Sequence, residues 1–325
     1  MCIRKAEKKT SPTQQNTTFS NYTEEEYKQL IKKLINKFKL NTQEIPLFYL
    51  DDYDIDNDLF VNGEQSYGFV IKQFQFFPFI PVIGIDRSLE RNEIVFSNKE
   101  YIQSDTVAIR IVGDDLQTGL FDFKNLAKKA KENFSHIELI IDLKILPEAA
   151  DLSDYFGKIS KFLQKVEDFS KIIITGSSIP KSIGELVSTN QIKNITRKEL
   201  ELFKMLNATY PNLIYGDYTI VSPYYSDVDM PAEMLLNITA AKVIYSYEKF
   251  HHVYRGETLK SGNYQQFKDF CEDISTQSFF RGVNYSYGDN FISNAKDRDS
   301  NITQSSILAP TINAHISYMY KDYQL

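Results

Sequence analysis

Four aspartates close or follow short apolar runs of this chain. Asp86 ends FIPVIGID, Asp142 lies in IELIIDL, Asp217 in NLIYGDYTI, and Asp289 follows SFFRGVNYS. Carboxylates gathered at one place either hold a divalent cation or share protons through raised pKa values. Asp142 and Asp217 sit among apolar residues, where an unpaired carboxylate is costly, so they lead the set. Asp142, Asp217 and Asp289 are the candidate acid/base groups, and Asp217 with Asp289 the candidate ligands of Mg2+ or Mn2+. Arg110 and Arg255 are cations suited to an anionic, phosphate-bearing substrate. His315, in NAHISYMY, is either a proton carrier or a satisfied structural residue. The turn Gly176-Ser177-Ser178 offers backbone amides to a phosphate or caps a following helix, and it lacks the glycine spacing and lysine of a nucleotide loop. For each aspartate the competing reading is a helix N-cap. Read together, the set points to metal-assisted hydrolysis of a phosphate ester or nucleic acid.

Other polar residues are set aside. His136 precedes a strand and is expected at the surface. His251 and His252 are adjacent, so they face opposite sides of a strand and cannot share a metal. Cys271 falls on the apolar stripe of a helix and reads as core. In DDYDIDND (51–58) aspartates alternate, but Asn57 and Gly63 occupy the calcium loop's glycine and glutamate positions, so an acidic exposed loop is expected.

Something must bring these residues together. From residue 45 apolar runs alternate with amphipathic ones: 45–50, 79–86, 106–112, 137–143, 171–176, 212–220, 241–247 and 278–286. Several are apolar on both faces, as buried parallel strands require. Strand–helix alternation predicts an α/β fold, an irregular (β/α)8 TIM-barrel-like domain over 45–325, with an open doubly wound sheet as the alternative. No good helix is visible in 51–78 or 87–105. KVIYSYEKFHHVYRG (242–256) reads as a β-hairpin insert. Thr23 and Glu26 predict a capping box opening an N-terminal helix within 21–44, and Thr196 with Glu199 a second one. Residues 1–20 read as a flexible tail.

Composition limits the classes. The 325 residues carry a net charge of −6 with 42% hydrophobic residues, which excludes global disorder. Residues 1–40 hold nine Lys/Arg against four Glu, leaving the remainder at −11. That balance argues against a broad nucleic-acid face and leaves nucleic-acid binding open only as a basic arm on an acidic body. No run of eighteen apolar residues exists and the start lacks an apolar signal core, so a cytoplasmic protein with no membrane segment is expected.

An ordered set of segments carries a resemblance: TGSSIP, RKELELF, YGDYTI, YSYEKFHHVYRG, NYQQF, NYSYGDNFI and NAHISYMY. Over roughly residues 80–325 the chain resembles the phage beta protein family. The resemblance implies a barrel-like α/β fold and an association with phages or mobile bacterial islands. Its recurrent motifs match Ser177, Pro180, Arg197, Glu199, Asp217, Tyr218, Arg255, Gly256, Asp289 and His315. Together with Arg110 and the Ser177–Ser178 turn read from the residues themselves, ligand contacts are expected at Arg110, Ser177, Ser178, Arg197, Tyr218 and Arg255. Two functions follow as expectations. One is an anion-binding protein of phage–bacterium conflict that hydrolyses its ligand. The other is a non-catalytic protein that docks a protein partner through the aromatic hairpin and the N-terminal helix.

Overall fold

The computed structural model describes residues 23–41, 47–53, 55, 59–224 and 232–323. The tail expected over 1–20 lies outside the described residues. So do Asp54, Asp56, Asn57 and Asp58 of the acidic run.

The strands are β1 Phe48–Leu50, β2 Phe60–Val61, β3 Glu64–Gln65, β4 Phe79–Gly84, β5 Thr106–Val112 and β6 His136–Ile145. They continue as β7 Lys171–Ser177, β8 Gln191–Thr196, β9 Leu213–Asp217, β10 Ala240–Tyr247 and β11 Phe250–Thr258. Six of them form a sheet in the order β1-β4-β5-β6-β7-β9, and the β1–β4, β4–β5 and β5–β6 pairs are parallel. The fold is therefore mixed α/β. Every residue of β4 is buried, as a parallel strand covered on both faces demands.

Two of the expected strands differ. The run 241–247 does form a hairpin, but β10 pairs antiparallel with β11, and β11 pairs antiparallel with β8. It belongs to a separate three-stranded sheet. Residues 278–286 form turns, with Gly282 at φ +92. Their rings serve packing: Phe279 stacks on Tyr247 at 4.0 Å, and Phe280 lies 6.0 Å from Tyr245. Helices also occur where none was expected, at Ser66–Phe74 and Leu89–Ser97. The first is buried on most sides, so no polar face marks its period, and Gln65, an uncommon cap, accepts from Tyr67 N.

The chain forms two compact units. The first comprises the described residues up to Asp142, with Lys158–Ile173 and Asn212–Ile214. Its opening helix, Glu24–Asn41, starts with the predicted capping box: Thr23 N donates to Glu26 Oε2 at 2.9 Å and Glu26 N to Thr23 Oγ1 at 3.3 Å. Its stripe of Tyr27, Ile31 and Ile35 is buried, worth roughly 1.5–3 kcal/mol per side chain. Tyr67 braces two strands, since its hydroxyl donates to Leu50 O (2.6 Å) and accepts from Val82 N (3.0 Å).

The second unit comprises Leu143–Gly157, Ile174–Pro211 and Tyr215–Leu325. The inner face of its three-stranded sheet supplies Val243, Tyr245 and Tyr254 to a core shared with Phe267 and Cys271 of the helix Gln265–Thr276. Burial pushes the Cys271 thiol up to about 12, as expected of a core thiol. NAHISYMY lies in the helix Gln304–Lys321, which contains Pro310. The helix Tyr287–Ser293 approaches it so closely that a methyl group at Gly288 would collide with the Pro310 carbonyl and with Ala314. Gly288→Ala should therefore cost about 1–3 kcal/mol, the usual range for overpacking, as a lowered denaturant midpoint checks.

Candidate functional site

The sequence-predicted residues fall mainly into two buried polar clusters, one in each unit. In the second unit the cluster is built on Arg197, which is fully buried and precedes the helix Lys198–Thr209. Its Nη2 donates to Asp217 Oδ2 and to Tyr215 Oη, both at 2.9 Å, and its Nε faces Glu199 Oε1 at 3.4 Å. Its Nη1 donates to Glu248 O at 3.5 Å. Asp217, at the end of β9, also accepts from His315 Nε2 at 2.9 Å and from Thr219 N at 2.9 Å. Burial opposes ionisation of Asp217, but the His315 and Arg197 partners and the Thr219 amide hold its carboxyl far below the usual carboxylate range. Glu199 has the opposite balance: burial outweighs Arg197 and the Ser178 hydroxyl and raises it.

The Thr196–Glu199 capping box is not formed. Thr196 ends β8, and the Glu199 carboxylate turns inward, where Ser178 Oγ donates to it at 2.5 Å. The same hydroxyl accepts from Lys198 N at 2.7 Å, so Ser178 caps the helix from a distant strand end. Ser177 Oγ donates to Val221 O and accepts from Ile179 N. Of the two readings of the Gly-Ser-Ser turn, helix capping is the one these bonds describe.

Ser246 and His251, missed as functional candidates, extend the cluster. Ser246 Oγ lies 2.8 Å from both His315 Nδ1 and His251 Nδ1. His251 is buried while His252 is partly exposed and bonds to Asn194, so the two do face opposite sides of β11. Their alternation in HHV was the one available signal that His251 points inward.

In the first unit Asp51 lies between two guanidinium groups, Arg87 Nη2 at 2.6 Å and Arg110 Nη1 at 2.9 Å. Arg110 also pairs with Asp142, and its guanidinium lies 4.0 Å from the Tyr53 ring. Arg91 pairs with the fully buried Asp52 at 2.8 Å. The acidic exposed loop expected at 51–58 is thus wrong for Asp51 and Asp52, because buried arginines from β5 and the segment after β4 demand counter-charges. Arg110 and Asp142 are brought together as a structural ion pair.

Asp289 stands in a third set. It accepts from Tyr245 Oη at 2.5 Å and from Ser286 Oγ, beside Arg281 Nε at 3.7 Å, in the first turn of the helix Ser286 caps. Arg255 Nη1 donates to Val187 O at 2.6 Å, with its guanidinium against Gly184. Tyr218 follows β9 and is partly buried. Among the described residues no group of three or more His, Cys, Asp or Glu side chains is placed to hold a metal ion. Asp217 and Asp289 have separate partners, and their carboxylates are taken up by Arg197–His315 and by Tyr245–Ser286.

Next to Arg197 the surface opens into a depression of about 470 Å³ lined by Lys204, Glu248, Lys249, Tyr318, Asp322 and Tyr323. Arg197 does not line it, but its guanidinium lies 5.9 Å from the Tyr323 ring and bonds the Glu248 carbonyl. Lys204 Nζ donates to Tyr323 Oη at 2.8 Å. Glu248 (φ 42) and Thr219 (φ 59) hold positive φ without being glycine. Such strained residues concentrate at binding and catalytic sites, and here one lines the depression and the other holds Asp217.

No helix among the described residues is long and apolar enough to cross a membrane. Searches of curated proteins and of solved structures find no match. A family model described as Beta protein does match, over residues 13–321. It covers every residue of the three clusters and ends just before Asp322 and Tyr323 of the depression, and the chain belongs to the Beta protein family.

Proposed function

We propose that the second unit binds a phosphate-bearing anion in the depression beside Arg197. One observation carries this reading. Lys204 and Lys249 line the depression and form no ion pair with a carboxylate among the described residues, and the buried Arg197 bonds the carbonyl of Glu248 in the same lining. Lysine is a point-charge phosphate binder, and a desolvated arginine nearby adds to the field. Glu248 and Asp322 on the rim favour a ligand that also presents donors, such as a sugar hydroxyl. Lys204 lies on the helix Lys198–Thr209, Glu248 and Lys249 in the β10–β11 turn, and Tyr318, Asp322 and Tyr323 on or just after the last helix, so the site does not rest on a barrel mouth. On this reading the protein acts inside the cell in phage–bacterium conflict, the setting that the family resemblance suggests.

Binding is better supported than hydrolysis. His315 and Asp217 are the acid/base pair the geometry offers, yet His315 is 1% exposed and both its ring nitrogens are engaged. A thermal-shift series on the full chain, with inorganic phosphate and nucleotides with and without Mg2+ or Mn2+, tests binding, and phosphate release tests hydrolysis. Lys204→Ala and Lys249→Ala should each weaken binding about tenfold or more, as loss of a charge-assisted contact implies. Failure of every phosphate compound to raise the midpoint, or equal response of the variants, would end this reading.

The protein-docking alternative draws on the flat Tyr247–Phe279 stack, 4.0 Å apart at 6°, on the hairpin. The apolar stripe of the N-terminal helix is buried in its own unit, so only its lysine face is left for a partner. A stoichiometric partner that survives Lys204→Ala would favour this alternative.

A further inference from the structure

Six side chains of the second unit close on themselves. Arg197 holds Asp217 and Glu199; Asp217 meets His315, His315 meets Ser246, and Ser246 meets His251. The loop lacks one link: His251 Nε2 stands 4.0 Å from Glu199 Oε1. That nitrogen is buried and has no hydrogen-bond partner among the described residues.

With both imidazoles neutral, proton counting fixes the direction of every bond. The Asp217 oxygen takes three side-chain donors or candidates, Arg197, Tyr215 and His315, and can only accept. His315 Nε2 therefore carries a proton. With a neutral imidazole, His315 Nδ1 must accept the single Ser246 proton. Ser246 then has only a lone pair left for His251, so His251 Nδ1 is the donor and its Nε2 is bare. This agrees with the orphaned Nε2.

We propose that Glu199, His251, Ser246 and His315 form a proton relay with two hydrogen-bond directions. A proton that binds His251 Nε2 from the Glu199 side is passed on: His251 Nδ1–H goes to Ser246 Oγ as the Ser246 proton goes to His315 Nδ1. One proton is taken up and every hydrogen bond of the relay reverses. The charge ends on His315, beside the ionised Asp217, and not on His251. Burial, then Arg197 and His315, disfavours charge on His251, while burial favours a protonated Glu199 as the source. The groups facing the relay are Arg197 and Glu199 at the helix start, Tyr215 and Asp217 on β9, and Arg281, which bonds the Ser246 and Ala314 carbonyls. In this scheme Ser246 and His251 are positioning residues for His315. The relay does not depend on a ligand in the depression.

Side-chain 15N NMR of the full chain, labelled at histidine, reads the tautomers directly. Near neutral pH His315 should be the Nε2–H form and His251 the Nδ1–H form. On acidification His315 should gain its second proton in the same step in which His251 switches to Nε2–H. A His251 Nε2–H tautomer near neutral pH, or two histidines that titrate in separate steps, would overturn the relay. Ser246→Ala should uncouple the two histidines; unchanged coupling in a folded Ser246→Ala chain would also overturn it, and the unsubstituted chain decides the matter if that variant does not fold.

Discussion

Replacing Arg197 by alanine should lower the stability of the second unit by about 3–5 kcal/mol, among the largest effects of any single substitution in the chain. The guanidinium is the counter-charge of two carboxylates, Asp217 at 2.9 Å and Glu199 at 3.4 Å, all in a buried setting. Without it burial would push Glu199 up further, and Asp217 would keep the Tyr215, Thr219 and His315 partners but lose its guanidinium. The unit would also lose the bonds that hold Tyr215 and the Glu248 carbonyl at the hairpin turn. Arg197→Lys should recover only part of the loss, since one ammonium cannot bond both carboxylates and the tyrosine in that planar arrangement. Denaturant unfolding monitored with hydrogen exchange in the second unit checks this. An Arg197→Ala chain within 1 kcal/mol of the parent would show that the cluster does not stabilise the unit.

Asp51→Ala should have a comparable effect in the first unit, about 3–5 kcal/mol, because it removes the nearest carboxylate of the buried Arg87 and one of the carboxylates paired with the buried Arg110. Its pH dependence has a definite sign. Burial would raise Asp51, but Arg87 and Arg110 outweigh it and hold the carboxyl below its ordinary value. A depressed carboxylate contributes stability above its unfolded pKa, about 4, and that contribution is lost as pH falls through the folded value. Asp217 acts in the same direction. Asp52 acts oppositely: burial, only partly offset by Arg91, lifts it to about 6. Its contribution is present below about pH 4 and is lost as pH rises through about 6. Carbon-13 titration of the aspartate carboxyls should separate these two neighbours. Titration of Asp51 above Asp52 would refute the assignment.

Local signals with a strong physical basis were legible in the sequence. The Thr23–Glu26 box and the β10–β11 hairpin turn are specified by contacts within a few residues, and β4 to β7 are marked by apolar runs that can be read without their partners. Burial of charge was not legible. Asp51 and Asp52 open a run that looks solvated, and only Arg87, Arg91 and Arg110, 36 to 59 positions away, explain them. β8 was missed because half of QIKNIT is exposed and only Ile195 is buried, so it carries no apolar alternation. The run 278–286 misled for the reverse reason, since its aromatic residues pack against Tyr245 and Tyr247 from turns. Asp217, Arg197 and His315 were singled out separately, and the structure joins them. Ser246 and His251 entered only because β10 and β11 present them to that same cluster.

The central claim is that the lysines beside Arg197 receive a phosphate-bearing anion. A titration of the lysine-labelled full chain with inorganic phosphate, read by NMR at the side chains, tests it directly. Lys204 and Lys249 should shift together and saturate with one dissociation constant, while remote lysines such as Lys129 and Lys161 stay unmoved. Shifts that are uniform over all lysines, or absent at Lys204 and Lys249, would contradict it.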